Sequence, residues 1–312
     1  MWMMQATPNM ASAARLSAAP MIDWTDRHCR MFHRQFSLHA LLYTEMVTAA
    51  ALVRGGADWL LDHDAREHPL ALQLGGAEPG ELACAVRIAR GRGFHEINLN
   101  VGCPSDRVQS GCFGAVLMRE PDLVRRILSA MYDAAGDVEI TVKCRIGVDD
   151  QDPDEALPRF LEAVEAAGVR RVIVHARKAW LQGLSPKQNR EIPPLDYPLV
   201  RRMKDRFPDL WIGLNGGIGS LEDARGHLRD GFDGVMIGRA AYHQPADILG
   251  PADREIFGQR TAPVRPETAV RAMLPYIEAE RGRGTPLHHV TRHMLGAFAG
   301  RPGARAWRRA LS

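Results

Sequence analysis

A chain of 312 residues, 46% hydrophobic and 25% charged, can bury a large core, which excludes disorder as its main state and a lone small module as its architecture. No apolar run approaches the roughly twenty residues that a membrane-crossing helix needs, so no membrane partner is expected. The net charge of +3 hides an asymmetry: residues 251–312 hold eleven Arg, no Lys and five acidic groups, a net of +6, against a net of −3 over residues 1–250.

Eight short β-rich runs follow one another along the first 250 residues. They are residues 15–23 (RLSAAPMID), 41–46 (LLYTEM), 70–75 (LALQLG), 96–102 (EINLNVG), 139–147 (EITVKCRIG), 171–177 (RVIVHAR), 210–217 (LWIGLNGG) and 234–240 (GVMIGRA). Helix-period segments separate them, among them residues 80–90, 121–134 and 158–167, the last stopped by Gly168. Parallel strands need crossover connections, so strand–helix alternation predicts a parallel sheet. Eight units in this length predict a (β/α)8 TIM barrel over residues 1–250. A doubly wound sheet is the competitor, but the first strand lacks its G-x-G-x-x-G turn. Beyond residue 250 the pattern becomes purely helical, in residues 266–282 and 286–298, so residues 251–312 read as a small C-terminal all-helical domain joined through a linker at 250–266. Its Arg excess suggests either a polyanionic partner or a solvated helix face.

A TIM barrel carries its chemistry at the C-terminal ends of the strands. Several polar groups stand there, and buried polar groups without partners are costly, so together they suggest a polar ligand. Asn215, Gly216 and Gly217 end the seventh strand, and Gly238 and Arg239 end the eighth, the place where barrels often hold a phosphate. Glycines let backbone N–H groups approach the oxygens, and an arginine adds a charged contact. Lys143 and His175 end strands five and six; they read either as donors toward an electron-rich part of a cofactor or as a salt-bridge partner and a core histidine.

The five cysteines, 29, 84, 103, 112 and 144, form no C-x-x-C pair, and no His, Asp or Glu cluster has ligand spacing, so no metal is expected and a reducing cytoplasm fits. Residues 1–16 lack a charged region followed by an apolar block, so no secretion signal is read. Cys103 follows strand four between Gly102 and Pro104, which bend the chain and can present the thiol. It reads as a nucleophile, a proton donor or a structural thiol, with Cys112 as its rival.

At residues 98–109 (NLNVGCPSDRVQ) the sequence resembles the signature of the tRNA-dihydrouridine synthases. Residues 19–30 (APMIDWTDRHCR), 42–48 (LYTEMVT), 71–76 (ALQLGG), 143–150, 175–195 (HARKAWLQGLSPKQNREIPPL), 215–218, 234–239, 292–295 and 302–309 (PGARAWRR) follow in that family's order, in the pattern of its A subfamily. Members usually continue with a further helical stretch where this sequence ends. The resemblance implies FMN as bound cofactor, NADPH as reductant, and reduction of uridine to 5,6-dihydrouridine in the tRNA D-loop, at uridines 20 and 20a. By the same resemblance, Pro20, Met21, Ile22, Gln73, Lys143, His175, Asn215, Gly216, Gly217, Gly238 and Arg239 contact FMN. Cys103 is the proton donor. Asn100 touches the substrate base, and Lys187, Arg190, Arg305 and Arg308 contact tRNA.

The chemistry is coherent with these assignments. Hydride must come from a cofactor, a thiol can protonate C5 from the other face, and a base inside a folded tRNA must be turned out of its stack. A monomer acting in the cytoplasm, with tRNA and NADPH as partners, is expected. Two other readings stay open on the sequence alone: a free-pyrimidine or dihydroorotate-type flavin oxidoreductase, which has no use for the basic tail, and a non-catalytic RNA chaperone on a barrel scaffold.

Overall fold

The computed structural model describes residues 10–105 and 112–311. Residues 106–109 of the Cys103 motif and the first nine residues of the N-terminal stretch lie outside them. Eight parallel strands close into a barrel in sequence order: β1 (Leu16–Ala18), β2 (Leu41–Thr48), β3 (Leu70–Gly75), β4 (Glu96–Val101), β5 (Glu139–Arg145), β6 (Arg171–His175), β7 (Trp211–Asn215) and β8 (Gly234–Ile237). β8 pairs with β1 and seals the ring. Several strands are shorter at their C-terminal ends than their β-rich runs. At 19–23, 146–147, 176–177 and 216–217 the chain has left the ladder and belongs to the loops above it.

The crossover helices lie outside. Pro79–Arg90, Pro121–Ala135, Tyr197–Arg206 and Leu221–Arg229 follow β3, β4, β6 and β7. Their apolar stripes bury Leu82, Val86, Ile127, Leu128, Leu199 and Val200 against the sheet. After β5 the helix is Pro153–Ala166, five residues earlier at its start than the periodicity predicts. Asp152 caps it by accepting the Asp154 N–H (2.9 Å), and Pro153 fills the first turn, so Pro158 is tolerated inside the helix rather than opening it. Gly168, at φ +81°, ends the segment as expected.

The barrel interior is layered. At the base, the turn Met10–Ala13 packs under the strands with Tyr43, Ala71, Ile173 and Met236. There Arg171, 1% exposed, bonds Glu96 and Glu139 at 2.7 Å each, while Glu96 also accepts from Tyr43 (2.6 Å) and Thr141 (2.5 Å). One layer up, Asn98 accepts from Gln73 (2.9 Å) and donates to Thr141 (2.8 Å).

Residues beyond β8 are helical, with breaks. Pro266–Ala272 and Leu274–Gly282 divide the predicted 266–282 helix around Met273 and Pro275; Leu287–Thr291 and Ala304–Leu311 follow. The linker segment is partly ordered: Ala252–Glu255 is a helical turn whose Asp253 accepts from Ser37 Oγ and the Leu38 N–H (2.8 Å). The apolar cluster of the barrel exterior continues into Ala269, Met273, Val290 and Met294. Asp26 caps the helix Arg27–Arg34 after β1 and accepts from Arg292 (2.6 Å) and His293 (2.9 Å), while His28 bonds the Tyr276 hydroxyl (2.7 Å). The C-terminal helices therefore dock on the β1 loop. Among the described residues no helix is long and apolar enough to cross a membrane.

Candidate active site at the barrel mouth

The β4 end builds the most specific local geometry. Asn100, 8% exposed, turns its Oδ1 onto the N–H groups of Gly102 (3.1 Å) and Cys103 (3.0 Å). That side-chain turn fixes the bend which brings the partly exposed Cys103 out of the strand. The Cys103 carbonyl accepts from Ala115 N–H (2.9 Å), and its thiol lies 3.4 Å from Ser105 Oγ. Asn100 Nδ2 meanwhile donates to Gln73 Oε1 (2.8 Å), so Asn100 positions Cys103 and, among the described residues, keeps its second amide N–H for a ligand. Cys112 is exposed, at φ +56°, and takes no part in this turn.

Cations gather around the thiol and His175. Lys143 on β5 has its ammonium pulled down to about 8, first by burial and then by neighbouring Arg145. Arg145, buried, spends its guanidinium on three carbonyls: Gly102 (3.1 Å), Asn189 (3.1 Å) and Lys178 (3.3 Å). Burial weakens its hold on a proton, but a guanidinium stays charged at neutral pH. Arg177 donates to the Pro193 carbonyl, and its Nε is buried without a partner among the described residues. Arg190 is exposed on the turn Gln188–Arg190 in the loop after β6, with Lys187 just before it. None of Lys143, Arg145 and Arg177 has a carboxylate partner among the described residues. Glu191 is the acid at hand, and it pairs with Arg239.

His175 is 6% exposed and held neutral, its pKa well below the ordinary value through burial first and then through Arg145, Lys143, Arg177 and Arg190. Its Nδ1 has no protein partner among the described residues. A buried ring nitrogen without a partner costs free energy, which makes this one a candidate contact for a ligand or a water.

The late strands supply the glycine cradle. Asn215 donates to the Met236 carbonyl (2.7 Å), tying β7 to β8, and Tyr197 donates its hydroxyl to Gly216 O (2.6 Å). Gly216 (φ +109°) and Gly217 (φ +72°) need left-handed backbone. A Cβ at Gly216 would lie 2.7 Å from the His175 ring, and one at Gly217 would lie 2.5 Å from Leu195. At Gly217 the close neighbours are thus protein atoms, and a side chain there disturbs the loop before it reaches any phosphate. Gly238 opens the short helix Arg239–His243 beside Ala19 and Met21, so the ends of β8 and β1 adjoin. Met21 is held in a turn by Thr25, whose Oγ1 accepts its N–H (2.9 Å). Pro20 is half-buried and Ile22 half-exposed beside it. Arg239 is half-exposed in its ion pair with Glu191, available to an anion only by exchange of that partner.

The site residues expected from the sequence therefore fall into two places. Cys103, Asn100, Gln73, Lys143 and His175 converge inside the mouth, with Gly216 against His175; Arg305 and Arg308 lie exposed on Ala304–Leu311, whose Trp307 anchors it by donating to Met294 O (2.8 Å). Three residues have roles that the sequence does not show, although Glu45 and Arg145 stand among the polar groups at its strand ends. Arg145 joins the Cys103 loop to the β6 loop, a role visible only from its three carbonyls. Glu45 sits at a register shift in β2 and accepts the N–H of Asp23 (φ +65°), bracing the β1 turn. Asn189, fully buried, braces the β6 loop; an Asn between Lys187 and Arg190 carries no composition signal.

Comparison with known proteins identifies the family and the fold. Residues 17–312 match the family described as Dihydrouridine synthase (Dus). The chain is 55% identical over 304 residues to a Vibrio cholerae protein named tRNA-dihydrouridine(20/20a) synthase, covering 97% of this chain and 92% of that one. It is 56% identical over 301 residues to the Escherichia coli K12 protein of the same name, covering 96% and 86%. Among solved structures, an old yellow enzyme homologue from Zymomonas mobilis superposes with a TM-score of 0.55 at 11% identity, over 82% of this chain and 92% of that one. Morphinone reductase superposes with a TM-score of 0.53 at 14% identity, over 82% and 88%. At those identities the likeness concerns the fold.

Proposed function

The chain belongs to the dihydrouridine synthase family, and from that premise we infer that it is a flavin-dependent oxidoreductase that reduces uridine to 5,6-dihydrouridine in tRNA. The proposal extends to uridines 20 and 20a of the D-loop as targets, FMN as the bound flavin and NADPH as the reductant. The observation that carries it is the Cys103 thiol, held out on the Asn100 turn beside the buried Arg145 and the half-buried Lys143, which have no carboxylate partner among the described residues.

The residues present fit FMN on three counts. His175 Nδ1 lacks a protein partner among the described residues, Lys143 is a half-buried cation, and the Gly216–Gly217 and Gly238 backbone offers N–H groups where a phosphate is expected. Pro20, Met21, Ile22 and Gln73 would contact the ring system, Lys143 and His175 its electron-rich edge, and Asn215, Gly216, Gly217, Gly238 and Arg239 the phosphate end. When bound, FMN supplies the hydride that no side chain can deliver. Cys103 gives the proton to uracil C5 and is left as thiolate until it is reprotonated from solvent; nearby Lys143 and Arg145 stabilise that negative charge. Asn100 holds the thiol's approach and turns its remaining N–H toward the base. Lys187 and Arg190 on one side, and Arg305 and Arg308 on the C-terminal helix of the 251–312 region, grip phosphates and orient the tRNA. Acting as a monomer in the cytoplasm, the enzyme needs no metal for this chemistry.

The test is nucleoside mass analysis of tRNA after incubation with the FMN-loaded protein and NADPH. The proposal expects a D-loop uridine, at position 20 or 20a, to gain the mass of a hydride and a proton. Unmodified tRNA beside a flavin that NADPH does bleach would overturn it.

A further inference from the structure

The β6 loop carries an aromatic ring that the flavin site does not use. Trp180 is 42% exposed, although tryptophan usually buries most of its surface. Its backbone is clamped on both sides by Asn189, whose Oδ1 accepts the Trp180 N–H (2.7 Å) and whose Nδ2 donates to the Trp180 carbonyl (2.8 Å). Leu181 N–H is taken by Asp149 (2.7 Å), and Ala179 bridges Val148 beyond the end of β5. A loop fixed this firmly holds its exposed ring in one place. The Lys178 ammonium lies over the ring, 5.4 Å from its centroid.

The ring's position relates it to the chemistry. Arg145 bonds Lys178 O and Asn189 O with one nitrogen and Gly102 O, next to Cys103, with another. The Trp180 loop and the thiol loop are thus joined through a single buried guanidinium. Lys178 lies over the ring, and Lys187 and Arg190 stand in the same loop at the turn that holds Asn189, so the loop is positively charged. The acids of this region are engaged: Asp149 and Asp150 with Arg119, and Glu191 with Arg239.

Resting on the tRNA reading above, we propose that Trp180 is a stacking platform for an RNA base flanking the target uridine. A single-stranded base needs a flat apolar face and a cation for its phosphate, and this loop offers both in a fixed geometry. The platform holds the neighbouring nucleotide while the target uridine leaves its stack, so the uridine enters toward Cys103 in a set orientation.

The experiment compares Trp180→Ala and Trp180→Phe, each purified with FMN, in direct titration with labelled tRNA. Stacking predicts tRNA binding about tenfold to hundredfold weaker in Trp180→Ala and within about threefold of wild type in Trp180→Phe. Equal flavin content and thermal midpoint in both variants, with only the Ala variant weakened, support the platform. Wild-type affinity in Trp180→Ala overturns it. So does equal weakening in both variants, which would make the indole a packing or hydrogen-bonding group. Weaker NADPH binding with tRNA affinity intact would assign the ring to the dinucleotide and also overturn it. Because the titration reads binding, it judges the platform even if the wild-type protein reduces no uridine, an outcome that would strike only the proposed reaction.

Discussion

The two ends of the barrel both bury charge, and they compensate it in opposite ways. At the base, Arg171 meets two carboxylates, and Glu96 collects a tyrosine and a threonine hydroxyl besides. At the mouth, Arg145 and Arg177 donate to carbonyls, and among the described residues Lys143 has no carboxylate partner and the His175 ring keeps a nitrogen without one. Burying a charge costs free energy unless it is paired. The base meets that cost within the chain and so holds the fold; the mouth leaves it to be met by an anionic ligand.

The largest effect expected of this contrast is on rate. Cys103→Ala removes the proposed proton donor and should lower dihydrouridine formation by roughly 10²–10⁴-fold, the usual worth of general acid catalysis. The variant should remain yellow, and NADPH should still bleach it in stopped-flow absorbance, since that step needs no proton on uracil. Full turnover in Cys103→Ala, with Cys112→Ala inactive, would move the acid to the other thiol. Next in size is the base. Arg171→Met strands Glu96 and Glu139 without their cation and should cost about 3–5 kcal/mol in urea unfolding, the toll of a broken buried pair. If its unfolding midpoint matched wild type while flavin affinity fell, the base would belong to the ligand site and the contrast would fail. The smallest effect lies on the outer helix. Replacing Arg305 and Arg308 by Ala should leave flavin content intact and flatten the salt dependence of tRNA binding by roughly one unit of log–log slope per lost phosphate contact. A double mutant that loses FMN would show these arginines holding the fold instead.

Which parts were legible in the sequence follows from how each feature is encoded. All eight strands were readable because buried parallel strands write themselves as short apolar runs bounded by turns. Gly216, Gly217, Cys103 and His175 were readable because they stand at fixed places relative to those runs. The base network was not, since Glu96 and Arg171 open their strands 75 residues apart and meet only when the barrel closes. The early start of Pro153–Ala166 was masked by Pro158, which reads as a beginning unless the Asp152 cap is recognised. Trp180 and Asn189 lie in a loop, where no periodicity points to a partner. Their pairing across nine residues is a fact of backbone geometry. The tail's positive charge was plain, but its docking on the β1 loop through Asp26, Arg292 and His293 was not.

The contrast between the two ends is tested most directly at Lys143. Its ammonium, lowered to about 8 by burial, is charged below that pH and neutral above it, so its attraction for the electron-rich edge of the proposed flavin is present at pH 7 and fades as pH rises through 8. Titrating FMN into flavin-free wild-type protein and Lys143→Met across roughly pH 6.5 to 9.5, alongside thermal unfolding of both, separates ligand from fold. The account predicts that Lys143→Met unfolds no earlier than wild type, because it removes a half-buried cation that has no carboxylate partner among the described residues. It also predicts FMN affinity about tenfold or more lower at pH 7, without the wild-type decline toward high pH. A variant that melts early yet binds FMN as tightly as wild type would contradict it.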